Sequence, residues 1–215
     1  MTEEIGTRIV ERKKKEMEAG TTGKDLLSLL MKANTSADIR KEERLTDAQV
    51  MAQITTFMLA GNETSSTALT FILWRLAQNK DVQKRLRAEV RSVSEDKPSL
   101  DTVYKLPYLD NVVREGLRID PPVPITTRIT ATDTVIPLSM PIVGRDGQTI
   151  TSLTVNKGTL VDIPICTIHQ STTIWGPDAK QFNPDRWNGN VPKENIQGSV
   201  YGQLLTFLAG PRNCM

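Results

Sequence analysis

The segment Phe207-Leu208-Ala209-Gly210-Pro211-Arg212-Asn213-Cys214 places a cysteine in a Gly/Pro loop two residues after an arginine. The cation and the exposed amides of such a loop favour the charged sulfur, so the setting is that of a thiolate. A lone cysteine is ordinarily inert, and this one gains meaning from three stretches upstream. Phe182-Asn183-Pro184-Asp185-Arg186-Trp187 is a proline-punctuated stretch carrying a cation. Glu115 and Arg118 stand three residues apart, which places them on one face of a helix. Ala60-Gly61-Asn62-Glu63-Thr64 interrupts a long apolar pattern.

The composition around these stretches is that of a globular chain. Of 215 residues 38% are hydrophobic before 13 glycines are counted, too many for a disordered segment. Against 25 Asp and Glu there are 27 Lys and Arg, a net charge of +2, and aromatics make up 5%. That field is weak and stacking platforms are few, so no nucleic-acid partner is expected. Cys166 and Cys214 allow at most one disulfide, and with one histidine they cannot build a four-ligand zinc site from Cys and His alone. The first twenty residues are charged and read as neither signal peptide nor anchor. No uninterrupted run of 18 apolar residues occurs. The chain as written is expected to be soluble, with its location left open.

The first half reads helical. Residues 2–19 carry Ile5, Ile9, Val10 and Met17 among charges, Asp25–Met31 is a short apolar stretch in need of a partner surface, and 33–45 reads as a loop. Thr46 with Gln49 three residues on is a capping-box pattern. From it Val50, Ile54, Phe57, Met58, Ala68, Leu69, Ile72, Leu73 and Leu76 recur at helical spacing to about Asn79, a helix on the order of 50 Å long. Its middle, Gly61–Thr67, is poor in helix formers and is open to two readings: a functional distortion, or a break between two helices. Lys80–Ser94 reads as a charged helix with Val82, Leu86 and Val90 on one face. A further helix begins at Leu106-Pro107 and ends at Ile119, before Asp120-Pro121-Pro122. Beyond Pro124 the stretches Thr126–Ile136, Gln148–Val155 and Thr159–Ile165 read as short antiparallel strands around the turn signals Asp146-Gly147 and Asn156-Lys157-Gly158. From His169 on, regular structure is expected to be sparse. The fold class is therefore α+β, mainly α.

In this order and approximate spacing, Ala60–Thr64, Glu115-x-x-Arg118, Phe182–Trp187 and Phe-x-x-Gly-x-Arg-x-Cys resemble the cytochrome P450 haem-thiolate monooxygenases, over nearly the whole chain. The third motif departs from the family in Asp185, where Glu is common. The resemblance implies a partial cytochrome P450 fold: a long central helix, a Glu-x-x-Arg helix and a small antiparallel sheet. It implies haem (iron protoporphyrin IX) as cofactor, with Cys214 as axial ligand of the iron. Arg128 and Arg212 match the arginines that hold the haem propionates, and Phe207 the aromatic beside the sulfur. Glu115, Arg118 and Arg186 match a buried cluster in which one carboxylate sits between two forked cations. Glu63 and Thr64 match the acid and alcohol that face dioxygen and relay protons. The partners implied are O2, an apolar small-molecule substrate and a reductase.

Other candidates receive plainer readings. His169 is taken as a structural hydrogen-bonder rather than a ligand, Cys166 as a small core residue in a strand, and Lys13-Lys14-Lys15 as a solvated run. Lys84, Arg85 and Arg87 are the candidates for docking a reductase. The family's domain is roughly twice this length and continues past the cysteine, so residues 1–215 are expected to form a partial haem-thiolate monooxygenase domain, and the family's full-length members are often anchored at the endoplasmic reticulum. The function implied is haem-dependent insertion of one oxygen atom of O2 into an apolar organic substrate. The alternative is a catalytically inactive truncated fragment that binds haem weakly or not at all. A helical interaction module with an unrelated cysteine would require four ordered motifs to coincide.

Overall fold

The computed structural model describes residues 2–20, 23–35, 40–189, 191–192, 199 and 201–214. The chain divides into two units, Met1–Ser66 and Thr67–Met215. In the first, helices α1 (Thr2–Glu18) and α2 (Leu26–Thr35) and the opening turns of α3 (Asp47–Gln78) share a core of Val10, Met31, Val50 and Ile54, flanked by Met17, Leu27, Leu45 and Met51. The apolar stretch read at Asp25–Met31 thus finds its partner surface. Asp25 accepts the Ser28 amide at 3.0 Å, which satisfies a free N–H at the start of α2, and pairs with Lys13 at 2.8 Å. Lys14 pairs with Asp47 at 2.7 Å. The lysine run read as solvated is thus partly committed to ion pairs. Residues 36–39 of the predicted loop lie outside the described residues. Asn34 ties the end of α2 to Leu45, donating to its carbonyl at 2.9 Å and accepting its amide at 2.6 Å.

The capping box forms as read. Thr46 N–H donates to Gln49 Oε1 at 2.8 Å and Gln49 N–H to Thr46 Oγ1 at 3.3 Å. From there α3 runs 32 residues without interruption, so the break between two helices does not occur. Hydroxyls in this helix find partners without unwinding it: Thr56 and Thr64 donate to the carbonyls of Ala52 and Ala60, four residues back, at 2.9 and 2.7 Å.

In the second unit, α4 (Lys80–Arg91), the single turn α5 (Leu100–Val103) and α6 (Pro107–Ile119) follow. Leu76, Tyr108, Val112, Ile119 and Phe182 form one core, with Val82 and Leu86 of α4 at its edge, while Val90 stays exposed. A second core joins Leu117, Trp175, Ala179 and Leu204. Proline at the first position of α6 removes an amide that would have no helical partner, and two of the remaining free amides, those of Tyr108 and Leu109, donate at 2.9 and 2.8 Å to the two oxygens of Glu89 on α4. Gly116 lets α6 approach α3 closely, because a Cβ there would lie 2.3 Å from Ile72 Cγ1. Arg75 and Asp120 join the ends of these helices through two bonds of 2.7 and 2.9 Å.

The sheet differs from expectation in its partition. The strand read over Thr126–Ile136 is two strands of different sheets: β1 (Thr126–Ile129), antiparallel to β4 (Leu160–Ile163), and β2 (Thr134–Val143), antiparallel to β3 (Thr149–Val155). Around the switch, Asp133 accepts the Lys157 amide at 2.7 Å and Thr130 exchanges backbone bonds with Thr159 and Gly158. β2 continues through Pro137 and Pro141, with the ladder shifting register between Pro137 and Ile142. A residue without an N–H is tolerated in such an irregular two-stranded ribbon. The third predicted strand stops at Ile163, and after Pro164 the chain turns into α7 (Ile165–His169). Cys166 is therefore a half-buried helix residue and not a strand residue. Beyond α7 only α8 (Thr172–Trp175) and a 3-10 turn, Pro184–Asn188, are regular among the described residues.

Candidate functional site

The amphipathic pattern of α6 buries Glu115 and Arg118 completely. Two buried charges are tolerable only if paired and fully hydrogen-bonded, and here they are. Arg118 forks onto Glu115, Nε to Oε2 at 2.9 Å and Nη2 to Oε1 at 2.8 Å, and its remaining three N–H groups reach the carbonyls of His169, Ala179 (2.7 Å) and Gln181 (3.1 Å). Five donors meet five acceptors, a match that only guanidinium can make. Glu115 also accepts the Asn183 amide at 2.9 Å and the Trp187 indole N–H at 3.1 Å.

Arg186 joins the cluster differently from the expected arrangement of two cations forked on one carboxylate. Its Nε lies 3.5 Å from Glu115 Oε1 without a hydrogen bond, while Nη1 donates to Asp178 at 2.8 Å and to the Trp175 carbonyl, and Nη2 to the Asp178 carbonyl. Asp178 is the second acid of the network. Its bonds from Arg186 and Asn183 hold its carboxyl below the usual range. Asn183 and Trp187 stand in the quoted Phe182–Trp187 motif without an assigned role, and Asp178 was not singled out from the sequence, because an acid eight residues from its arginine in an irregular segment leaves no periodic signal.

His169 is fully buried. Its Nε2 accepts the Leu205 amide at 2.8 Å, so Nδ1 carries the hydrogen and donates to the Arg118 carbonyl at 3.0 Å. Burial pushes its pKa down to about 4. The imidazole is thus a neutral hydrogen-bonding group, in agreement with its reading as structural.

Leu204 is buried in the second core, and the Thr206 hydroxyl donates to the Leu117 carbonyl at 2.8 Å. From this base the cysteine loop closes on itself. Leu208 takes a left-handed conformation (φ 60°), uncommon for a bulky side chain, and Gly210 takes φ 83°. The Cys214 amide then donates to the Phe207 carbonyl at 2.9 Å. The Phe207 ring packs against Tyr201, centroids 5.7 Å apart, at the edge of the core. Cys214 itself is a free, exposed thiol.

Arg212 and Arg128 are exposed as well. Arg128, on β1, donates only to Thr126 Oγ1 (2.8 Å) and the Thr127 carbonyl (3.0 Å). Among the described residues no carboxylate pairs with either arginine, and no bond joins them to each other. Glu63 and Thr64 lie on α3 within the first unit, exposed there, with the Thr64 hydroxyl given to Ala60. Arg85 is committed to Asp185 at 2.7 Å and stacks on Tyr108, its guanidinium 3.9 Å from the ring centre.

This donor set fits haem. No group of three or more His, Cys, Asp or Glu among the described residues could hold a metal ion, and a porphyrin brings its own nitrogen ligands to an iron that a thiol such as that of Cys214 can ligate. The unpaired arginines suit the carboxylates of such a macrocycle. No helix among the described residues is long and apolar enough to cross a membrane.

The chain is 43% identical over 228 residues to cytochrome P450 monooxygenase 128 of Postia placenta, an alignment that covers 100% of this chain and 41% of that protein. Monooxygenase 205 of the same fungus is 41% identical over 222 residues, covering 98% of this chain and 40% of the relative. The cytochrome P450 monooxygenase claO of Ampulloclitocybe clavipes is 40% identical over 222 residues, with 100% and 40% covered. The chain therefore spans about two fifths of the length of the curated relatives it matches. The sequence profile of the cytochrome P450 family matches residues 2–215, and the chain belongs to that family.

Proposed function

We propose that this chain carries the thiolate side of a haem-dependent monooxygenase that acts on an apolar organic substrate, with electrons supplied by a reductase. The observation that supports it is the exposed Cys214 thiol on a loop closed by its own amide, following a segment that the buried Glu115–Arg118 pair holds to α6. Haem, when bound, supplies the iron at which dioxygen is activated, and a thiolate ligand pushes electron density toward O–O cleavage. Cys214 would hold the iron, and Arg128 and Arg212 would pair with the propionates. The Glu115–Arg118–Arg186–Asp178 network holds the segment ahead of the cysteine against α6. On α3, the Thr64 hydrogen is committed to Ala60, so its hydroxyl oxygen presents lone pairs that can accept a hydrogen bond, and the exposed Glu63 carboxyl stands beside it.

The test is to express residues 1–215, supply haemin, reduce, add carbon monoxide and record the Soret region, with Cys214→Ala as control. A red-shifted thiolate-type band, lost in the variant, is expected. If the band is absent, or survives the substitution, thiolate ligation by this chain is wrong.

A further inference from the structure

The last carbonyls of a helix have no partner within it. In α6 those of Leu117, Arg118 and Ile119 are taken by side chains from later in the chain: the Thr206 hydroxyl at 2.8 Å, His169 Nδ1 at 3.0 Å and the Gln170 amide at 2.8 Å. Two of these donors bear on the cysteine loop. His169 spends its second nitrogen on the Leu205 amide at 2.8 Å, and Thr206 is the next residue along. Residues 205 and 206 are thus held to the end of α6 by one histidine and one hydroxyl, while Leu204 is anchored in the core. Two backbone bonds carry that placement onward: Leu208 N–H to the Leu205 carbonyl at 2.8 Å, and Cys214 N–H to the Phe207 carbonyl at 2.9 Å.

From this chain of contacts we infer that His169 and Thr206 are positioning residues, latching the base of the Cys214 loop to the terminal carbonyls of α6 and so setting where the thiol stands. The ionic cluster alone does not do this: it holds the backbone of His169 through its carbonyl and that of Trp175, Asp178, Ala179, Gln181 and Asn183, but among the described residues its bonds stop short of residue 204. The role of the latch in iron ligation rests on the haem-thiolate reading above, whereas its effect on the loop does not. His169 performs it as a neutral ring, one nitrogen donating and the other accepting.

The two nitrogens can be tested separately. In His169→Asn the amide reaches the place of Nδ1 and keeps the Arg118 bond but not the Leu205 bond. In His169→Gln the side-chain oxygen reaches the place of Nε2 and keeps the Leu205 bond. Thr206→Val deletes the hydroxyl at nearly constant shape, and Thr206→Ser restores it. In the 215-residue chain, amide exchange at Leu205 and Leu208 should accelerate at least tenfold in His169→Asn and Thr206→Val, with Asn183 unchanged, and stay within twofold of the parent in His169→Gln and Thr206→Ser. The alkylation rate of Cys214, followed by peptide mapping, should change at least threefold in the first pair only. In haemin-loaded protein the same pair should lose at least half of the thiolate-type band. The inference is overturned if Leu205 exchange does not change, if protection is lost equally at Asn183, or if Cys214 alkylates at one rate in all four variants. A parent chain without the thiolate band overturns the haem-thiolate reading instead, and the exchange and alkylation results still decide the latch.

Discussion

The imidazole of His169 makes both of its hydrogen bonds only while neutral, since a second proton would face the Leu205 amide. Burial is the main reason its pKa falls from 6.5 to about 4, and the Arg118 charge acts in the same direction. The unfolded chain therefore binds this proton more readily than the folded one. The contribution of the site is fully present above pH 6.5, declines as the pH falls toward 4, and levels off below that. A shift of this size corresponds to roughly 3 kcal/mol. Urea midpoints at pH 7, 5.5 and 4 should fall over this window in the parent chain and fall much less in His169→Gln. Equal slopes would show that the ring is not the group that titrates. That His169 is structural was legible in the sequence. Which carbonyl and which amide it joins was not, because these partners lie 51 and 36 residues away.

At the scale of the element, α6 is the member on which the site depends, and two residues that the motif does not specify control it. Glu89 lies in the stretch that reads only as a charged helix, yet both its oxygens cap the α6 N-terminus, where a carboxylate also meets the favourable end of the helix dipole. Glu89→Gln keeps the shape, removes the charge and should cost about 1–2 kcal/mol. It should also speed amide exchange at Tyr108 and Leu109, whereas an unchanged melting temperature would mean that water replaces the cap without loss. Gly116 is the second residue. Gly116→Ala pushes a methyl group into Ile72, an overpacking expected to cost about 1–3 kcal/mol. Adding Ile72→Ala should recover part of that loss, so the double variant should be more stable than the sum of the single effects. Strict additivity would argue that the two helices do not meet there. The limits of α6 itself were legible, since Pro107 and Asp120-Pro121-Pro122 act locally. The glycine's role was not, because it depends on what the other helix presents.

Across the whole molecule the two units differ in what holds them. Among the described residues, the buried apolar side chains of Met1–Ser66 form one small cluster, Val10, Met31, Val50 and Ile54, whereas Thr67–Met215 has two clusters and the buried Glu115–Arg118–Arg186 charges with Asp178 at their edge. Local opening follows such differences in buried contact. Hydrogen exchange should therefore release α1 and α2 well before α6, and α6 exchanging as fast as α1 would contradict that ordering. The sequence by itself determined the features that act over a few residues: the capping box at Thr46, the helical pattern of α3, the stops around α6, and the ordered motifs that carry the family. Tertiary structure alone decided the rest. It kept α3 whole where propensity allowed a break, divided the strand at Thr130–Asp133 between two sheets, turned Arg186 toward Asp178 and fastened Leu205 to His169. The physical reason is range. Helix periodicity and caps are bonds between residues three or four apart, which a sequence displays directly. The partners of a buried charge, a strand or a loop base are chosen among groups tens of residues away, by which arrangement leaves the fewest buried polar atoms unpaired.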